Sequence, residues 1–525
     1  MPIDEVEQLE RYCPGGYHPV NVGEQLGGKY SIIHKLGYGS YSTIWLARNQ
    51  EVGRYVAIKI PVATCDSTGT RETDILRRLN HTGLEGKAHP GAAYIPSIFD
   101  GFSVSGPNGV HHCHVTEIGM MNLGEAKDSS YIHLFRLPVA RVMAVQLVQA
   151  VAFLHSQGIV HGGKLPSSGD PIFLLLLCAG CLMRWITADL HDGNVLIRLP
   201  GSMDSLAPEQ LYEKYGSPRY EPVERLDQGQ LPEGVPEKGL VPIWLGKDSE
   251  LVDLSEAQFI LTDFGGSFMP ATTSRPYSNA PRIWTPPEIF FEQGKSLSFP
   301  VDIWMLACTI RVIIAQSPLF EVYNPSDDMV IKAHVGCLGK LPAPWWQEWD
   351  ARADWFNEDG EKKIETYAPS LEQRFSESVR EPRQKYRTEE MDEIEKVALF
   401  KMLKAMLAFN PEERPTAQEL LNCEWMQKWA LPEFSQIKAT SRSHTLCAIR
   451  TDSKRGARRL PLLAVLYCEV QVLSGLHCLT CDDCEVLQQA TNCQVSALQS
   501  QDYVITGRLV TSHWDPLNYV HAMGF

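Results

Sequence analysis

The sequence has no excess of positive charge. Lysine and arginine number 48 against 63 aspartates and glutamates, a formal net charge of −15. Nucleic acid and anionic membrane surfaces both call for clustered Lys and Arg, so direct contact with either is not expected; basic ligands fit better. An apolar signal core is also missing from the opening stretch MPIDEVEQLERYCPGG, and nothing else suggests secretion. The 14 cysteines are therefore expected as reduced thiols in an intracellular compartment, the cytoplasm and also the nucleus. Long apolar runs are scarce. The best candidate, PIFLLLLCAGCLMRWI from Pro171 to Ile186, is broken by Arg184 and falls short of the ~20 residues that a spanning helix needs. No membrane association is expected, and no internal repeat is visible.

What is present is ordinary for a soluble globular chain: 525 residues, 44% hydrophobic and 21% charged, enough for two or three domains. From Tyr30 the residues alternate as strands do, YSIIHKLGYGSYSTIWLARN and then RYVAIKIPVA. A helical pattern follows in TRETDILRRLN, a strand in HHCHVTEIG, and long helical periodicity in VARVMAVQLVQAVAFLHSQG. Residues 201–256 are rich in Pro, Gly and charge with weak periodicity, and read as a spacer or partly disordered loop. A strand returns in AQFILTDFGG, and helices resume through PEERPTAQELLNCEWM. The expected organisation is an N-terminal extension (1–29), a β-rich unit (30–118), a mainly helical unit (119–431) and a C-terminal extension (432–525).

Four elements carry chemistry. LGYGSYSTIW places Gly37 and Gly39 in a turn where missing side chains let backbone N–H groups approach phosphate, although Ser42 stands at the third glycine position and a plain hairpin is at least as good a reading. VAIK ends in Lys59, which from the next strand can reach α and β phosphates, and Glu72 on the following helix can hold it as an ion pair. DLHDGN carries Asp189, to accept or orient a hydroxyl proton, and Asn194, to bind Mg²⁺. TDFGG supplies Asp263 as a second metal ligand. Each alone is weak; their order is specific. Glu288 of WTPPEI and Arg414 of NPEERP are expected to form a buried brace, and Asp302 of VDIWMLAC to tie down the catalytic loop.

On these residues the sequence resembles the eukaryotic protein kinase family from Tyr30 to Leu431. It is most similar to the kinases of arginine-serine-rich splicing proteins of fungal type, through LGYGSYSTIWLA, VDIWMLACTI, LGKLPAPWW and the long spacer. The resemblance implies an α+β, two-lobed kinase fold with ATP and Mg²⁺ in the cleft and a monomeric enzyme. It also implies adenine near Ala57, Leu196 and the hinge VTEIG, with Thr116 as gatekeeper and Glu117 opening the hinge, and Leu36 and Ile44 among the ATP-binding residues. The substrate it implies is a protein with Arg/Ser-rich segments. NPSDDMVIKAH and RTEEMDEIE could dock such a substrate, or be merely solvated acidic faces. Two departures matter: His191 replaces the catalytic-loop lysine, and no arginine precedes Asp189. Activity independent of activation-loop phosphorylation is therefore expected.

The family places His two residues before the catalytic Asp, whereas here residues 163–188, 26 in all, separate His161 and Gly162 from Asp189. Removing them restores HGDLHDGN. Gly163-Lys164 and Ala188-Asp189 can be encoded with intron-like ends that splice in frame, so a retained intron is the favoured account over a true insertion. In the tail, Cys478, Cys481, Cys484 and Cys493 approach metal-ligand spacing but complete no zinc pattern. Two other functions compete: a small-molecule kinase of the aminoglycoside or choline type, and a pseudokinase scaffold disabled by the insertion.

Overall fold

The computed structural model describes residues 5–63, 66–82, 89–162, 190–225, 227–275 and 282–437. Asp189, the stretch 163–188 with its apolar run, and the cysteine-rich tail lie outside the described residues.

The β-rich part is a six-stranded antiparallel sheet in the order β1-β2-β3-β4-β6-β5. Its strands are β1 (Gln25–Leu26), β2 (Tyr30–Gly39), β3 (Ser42–Asn49), β4 (Tyr55–Pro61), β5 (Ile98–Gly106) and β6 (Gly109–Thr116). Alternation along β4 sorts Val56, Ile58 and Ile60 from Ala57 and Lys59, so the sheet is apolar on both faces. Both faces consequently need cover. One packs on helix α1 (Asp66–Thr82) through Leu76 and Leu79. The other is covered by Val20 and Leu26 from the N-terminal stretch and by Leu240 from the stretch 201–256.

That second cover corrects the expectation of an unstructured spacer. Residues 201–256 hold a helix, Pro208–Tyr215, and a hairpin of β9 (Tyr220–Pro222) with β10 (Lys238–Leu240). Tyr212 donates to the Ile33 carbonyl at 2.7 Å and Asp204 accepts the Tyr55 N–H at 2.7 Å. Proline and charge suppressed the periodicity because the segment is held by such local bonds and a few apolar contacts, not by one amphipathic face. The described stretch before Tyr30 likewise contributes to the sheet's core: Glu7 and Lys35 form a buried ion pair at 2.6 Å.

The helical part is built on α3 (Leu137–Ser156) and α4 (Phe299–Ile314); α2 (Leu123–Asp128) leads into α3 behind an Asn122 capping box. By length and composition α3 could cross a membrane, yet 89% of its apolar window is buried among its neighbours, as in a core helix. Between the two parts runs a small sheet in the order β11-β8-β7, comprising β7 (Gly119–Asn122), β8 (Val195–Arg198) and β11 (Phe259–Leu261). The last described helical turn continues past Leu431, and Phe434 still packs into the core.

Candidate active site

Lys59 lies on β4 opposite Ile44 of β3, and its ammonium bonds both oxygens of Glu72 on α1 at 2.8 and 2.9 Å. The same nitrogen reaches Asp263 at 2.9 Å. Burial alone would depress the pKa of this lysine, but Asp263 and Glu72 outweigh it and hold the ammonium above its ordinary value. Glu72 is fixed from a second side, accepting the backbone N–H of Phe264 at 3.2 Å. Asp263 sits in the left-handed region, φ 63°, which turns its carboxylate back toward the lysine.

Asn194 ends a short turn ahead of β8, and its carbonyl accepts the N–H of Thr262 at 2.8 Å. Asn194 and Asp263 are thus carried on paired strand ends. Their amide and carboxylate oxygens suit Mg²⁺, which takes one or two protein ligands and fills its shell with phosphate and water. Among the described residues no group of three or more His, Cys, Asp or Glu could hold a metal without such a substrate.

Gly37 and Gly39 flank the β2–β3 turn; a Cβ at either would meet nothing within 4 Å, so their backbone is open to an approaching phosphate. Leu36 and Ile44 stand partly buried near this turn, Ser42 is buried at its end, and Ala57 pairs directly with Thr116 across β4 and β6. The Glu117 side chain turns outward, accepting from Ser97 N–H at 3.2 Å and meeting Arg198 at 3.5 Å. Leu196 lies against the backbone of Gly119, where a Cβ would come within 2.5 Å of its Cδ1.

Asp302 on α4 accepts three N–H groups, from His161 at 2.8 Å, from Gly162 at 3.3 Å and from the His155 ring at 3.0 Å. Glu288 and Arg414 meet end-on, both Nη atoms donating to the two carboxylate oxygens at 2.7 and 2.6 Å, buried, with the guanidinium over Trp304. Asp189 lies outside the described residues, so the structure assigns it no position.

A protein kinase domain is matched over residues 250–426, from ahead of Asp263 to beyond Arg414. A serine/threonine-protein kinase SRPK of Physarum polycephalum is 28% identical over 436 residues, 80% of this chain and 91% of the relative. A serine/threonine protein kinase of Aspergillus fumigatus is 25% identical, covering 80% of this chain and 90% of its own length. Human SRSF protein kinase 3 is 32% identical over 215 residues, 40% of this chain and 36% of that protein. Over residues 250–426 the chain is thus similar to protein kinase domains, and along most of its length to these serine/threonine kinases. It is a serine/threonine protein kinase.

In this kinase His191 does not point away as a flexible lysine would. Its Nδ1 accepts the Gly193 N–H at 3.0 Å and caps the turn that carries Asn194. Beyond Asp263, Arg275 donates to the Gly266 carbonyl and lies 4.8 Å from the Phe268 ring, while its own carbonyl accepts Leu297 N–H at 2.7 Å. These contacts fasten the start of the segment that follows Asp263; residues 276–281 lie outside the described ones. The two acidic stretches are largely engaged internally. Asp327 pairs with Arg282, Asp328 accepts from the Trp349 indole at 2.8 Å, Glu389 meets Arg136 at 3.2 Å, and Glu395 pairs with Arg141 at 2.5 Å.

Sequence reading missed three positions. His114, opposite Lys59 on β6, lies 4.0 Å from Glu72, and burial holds it neutral by lowering its pKa. Gly119 is set by its contact with Leu196, and Tyr17 donates to the Gly39 carbonyl at 2.7 Å. Only Gly119 had a signal, as a glycine at the hinge.

Proposed function

We propose that this kinase transfers the γ-phosphoryl group of ATP to serine hydroxyls in Arg/Ser-rich protein segments, acting as a monomer in the cytoplasm and nucleus. The observation that carries the phosphotransfer reading is the partly buried Lys59 ammonium between Glu72 and Asp263. A scaffold without turnover has no need of that arrangement, in which a cation is pre-set for phosphate oxygens and a carboxylate for a metal. Lys59 would orient the α and β phosphates; Asn194 and Asp263 would hold Mg²⁺, which when bound neutralises phosphate charge. Asp189 would take the serine proton as the new Oγ–P bond forms and the bond to the β-phosphate oxygen breaks, leaving its electron pair on ADP.

The substrate class rests on the net charge of −15 and on the relatives' names. Internal pairing of the acidic stretches weakens the docking reading for them. The contacts of Arg275 support activity without activation-loop phosphorylation. The small-molecule runner-up is disfavoured by the match that spans Asp263 to Arg414.

The test is transfer of labelled γ-phosphate from Mg-ATP to an Arg-Ser repeat peptide and to one with Arg replaced by Ala. This chain is run beside the form lacking residues 163–188, with Asp189→Asn as blank. Transfer to the Arg-Ser peptide alone supports the proposal. Equal transfer to both sinks the substrate class, and ATP binding without any transfer by either form restores the scaffold.

A further inference from the structure

The turn between β2 and β3 is fastened from outside the cleft by the chain's own N-terminal stretch. Tyr17, 2% exposed, donates its hydroxyl to the Gly39 carbonyl at 2.7 Å. On the other side of the tip, Tyr41 O accepts Val62 N–H at 2.9 Å, and the next amide, Ala63, donates to Gly16 O at 3.1 Å. The strand end after Lys59 therefore holds both the tip and the segment that grips it. Tyr12, Tyr17 and Val62 form a small apolar cluster of their own, against which Leu9, Tyr41 and Val235 pack. The Arg11 guanidinium lies 4.9 Å from the Tyr17 ring and 5.9 Å from that of Tyr41.

The segment itself is rigidly placed. Tyr17 N–H donates to Arg11 O at 2.9 Å, closing a tight turn in which a Cβ at Gly16 would sit 1.9 Å from that same oxygen. Asn108 ties it down, donating from Nδ2 to Tyr17 O at 2.7 Å and accepting Gly15 N–H at 2.7 Å. Its start is pinned by Glu7, which takes Lys35 at 2.6 Å and the Tyr12 hydroxyl with almost no exposure. Breaking a buried pair of this kind strands a charge, so the segment is not a loose tail.

We propose that residues 7–17 are a built-in clamp on the glycine turn and that Tyr17 is a positioning residue for nucleotide phosphates. A glycine hairpin left free must be ordered when phosphate binds, and that ordering opposes binding. Here Tyr17 fixes the Gly39 peptide beforehand, so less of the turn is left to be ordered. The clamp's bearing on binding rests on the reading of this turn as the phosphate site; the clamp itself does not.

The experiment uses the full chain and two substitutions. Tyr17→Phe removes only the hydroxyl and keeps the ring in its cluster; Gly16→Ala breaks the turn that presents Tyr17. Amide hydrogen exchange is followed at residues 38–42 without nucleotide, and affinities are measured for Mg-ATP and for adenosine, which lacks phosphates. In Tyr17→Phe, exchange at the tip should speed up and Mg-ATP affinity should fall, each by roughly three- to tenfold, the worth of one hydrogen bond. Adenosine affinity should stay within about twofold on the same scale. Gly16→Ala should repeat the pattern. Unchanged tip exchange in both variants overturns the clamp, and parallel loss of ATP and adenosine overturns Tyr17's role toward phosphate. If the unsubstituted chain binds neither Mg-ATP nor adenosine, the kinase reading fails, and the exchange data still decide whether the clamp exists.

Discussion

The Asp302 carboxylate accepts the His161 N–H at 2.8 Å, and seven residues along the same helix Thr309 donates to the Leu190 carbonyl at 2.8 Å. Both flanks of the stretch 163–188 are thus held on α4, two turns or ~10 Å apart along its axis. Joining Gly162 directly to Asp189 leaves both anchors in place, so the shortened chain should fold with an unfolding midpoint equal to or above that of the full chain. The full chain must in addition close a loop through the same two anchors, and loop closure carries an entropic cost. Thermal unfolding of the two forms checks this; a shortened chain that melts well below the full one would show the stretch to be structural.

Asp302 gathers three N–H donors on one buried carboxylate. Asp302→Ala would leave them without a partner, at about 1–3 kcal/mol for each buried group. Because two of the three belong to the backbone entering the catalytic loop, the loss should appear in kcat more than in ATP affinity. Steady-state kinetics on the shortened form separate these; a change confined to KM for ATP would argue against a loop-holding role.

Lys59 is held above its ordinary pKa by Asp263 and Glu72 against the effect of burial. A raised lysine pKa means that its contribution to stability is complete below the unfolded value near ~10.4 and is lost only as pH rises through the folded one. Between pH 6 and 9, then, activity should show no titration from this residue. Lys59→Met should reduce kcat/KM by at least ~10²-fold, the scale of one removed electrostatic donor. A fall in wild-type activity between pH 8 and 9 that Lys59→Arg abolishes would contradict the first expectation.

Much of this was legible because the residues recur at fixed spacings on strands whose alternation is plain. β2, β3 and β4 declare themselves, and with them Gly37, Gly39 and Lys59; helix α1 then brings Glu72 to Lys59 by packing. The Glu288 and Arg414 pair could be named for the same reason. Tyr17 and Glu7 could not, since nothing local says that residues 5–26 cover a sheet face or that Tyr17 finds a carbonyl 22 residues away. The stretch 201–256 was misread on similar grounds. Its order comes from partners such as Ile33 and Tyr55, far off in sequence, and composition carries no trace of them. His114 hid in a strand whose alternation assigns it only to a face; its nearness to Glu72 depends on how α1 crosses β6.

Buried imidazoles, His334 and His18 among them, give the fold an acid limit. His334 is enclosed by Trp304 at 4.9 Å and Phe320 at 4.4 Å, with no hydrogen-bond partner on either ring nitrogen, and burial lowers its pKa to about 3. The His18 ring lies 4.8 Å from that of His111, and burial followed by that neighbour lowers it to about 4. In the unfolded chain both bind a proton below ~6.5. Between that pH and the folded values the unfolded state carries more protons, so stability must fall as pH falls, by up to ~1.4 kcal/mol per unit for each histidine. Urea unfolding midpoints should therefore drop steadily from pH 6.5 to 4.5. His334→Leu, which keeps an apolar side chain in the same aromatic cage, should reduce that slope by up to ~1.4 kcal/mol per pH unit, and Glu288→Gln, which leaves the histidines in place, should not. An undiminished slope in His334→Leu would mean that His334 is protonated in the folded protein, and that its cage admits a charge which the surrounding rings give no means to stabilise.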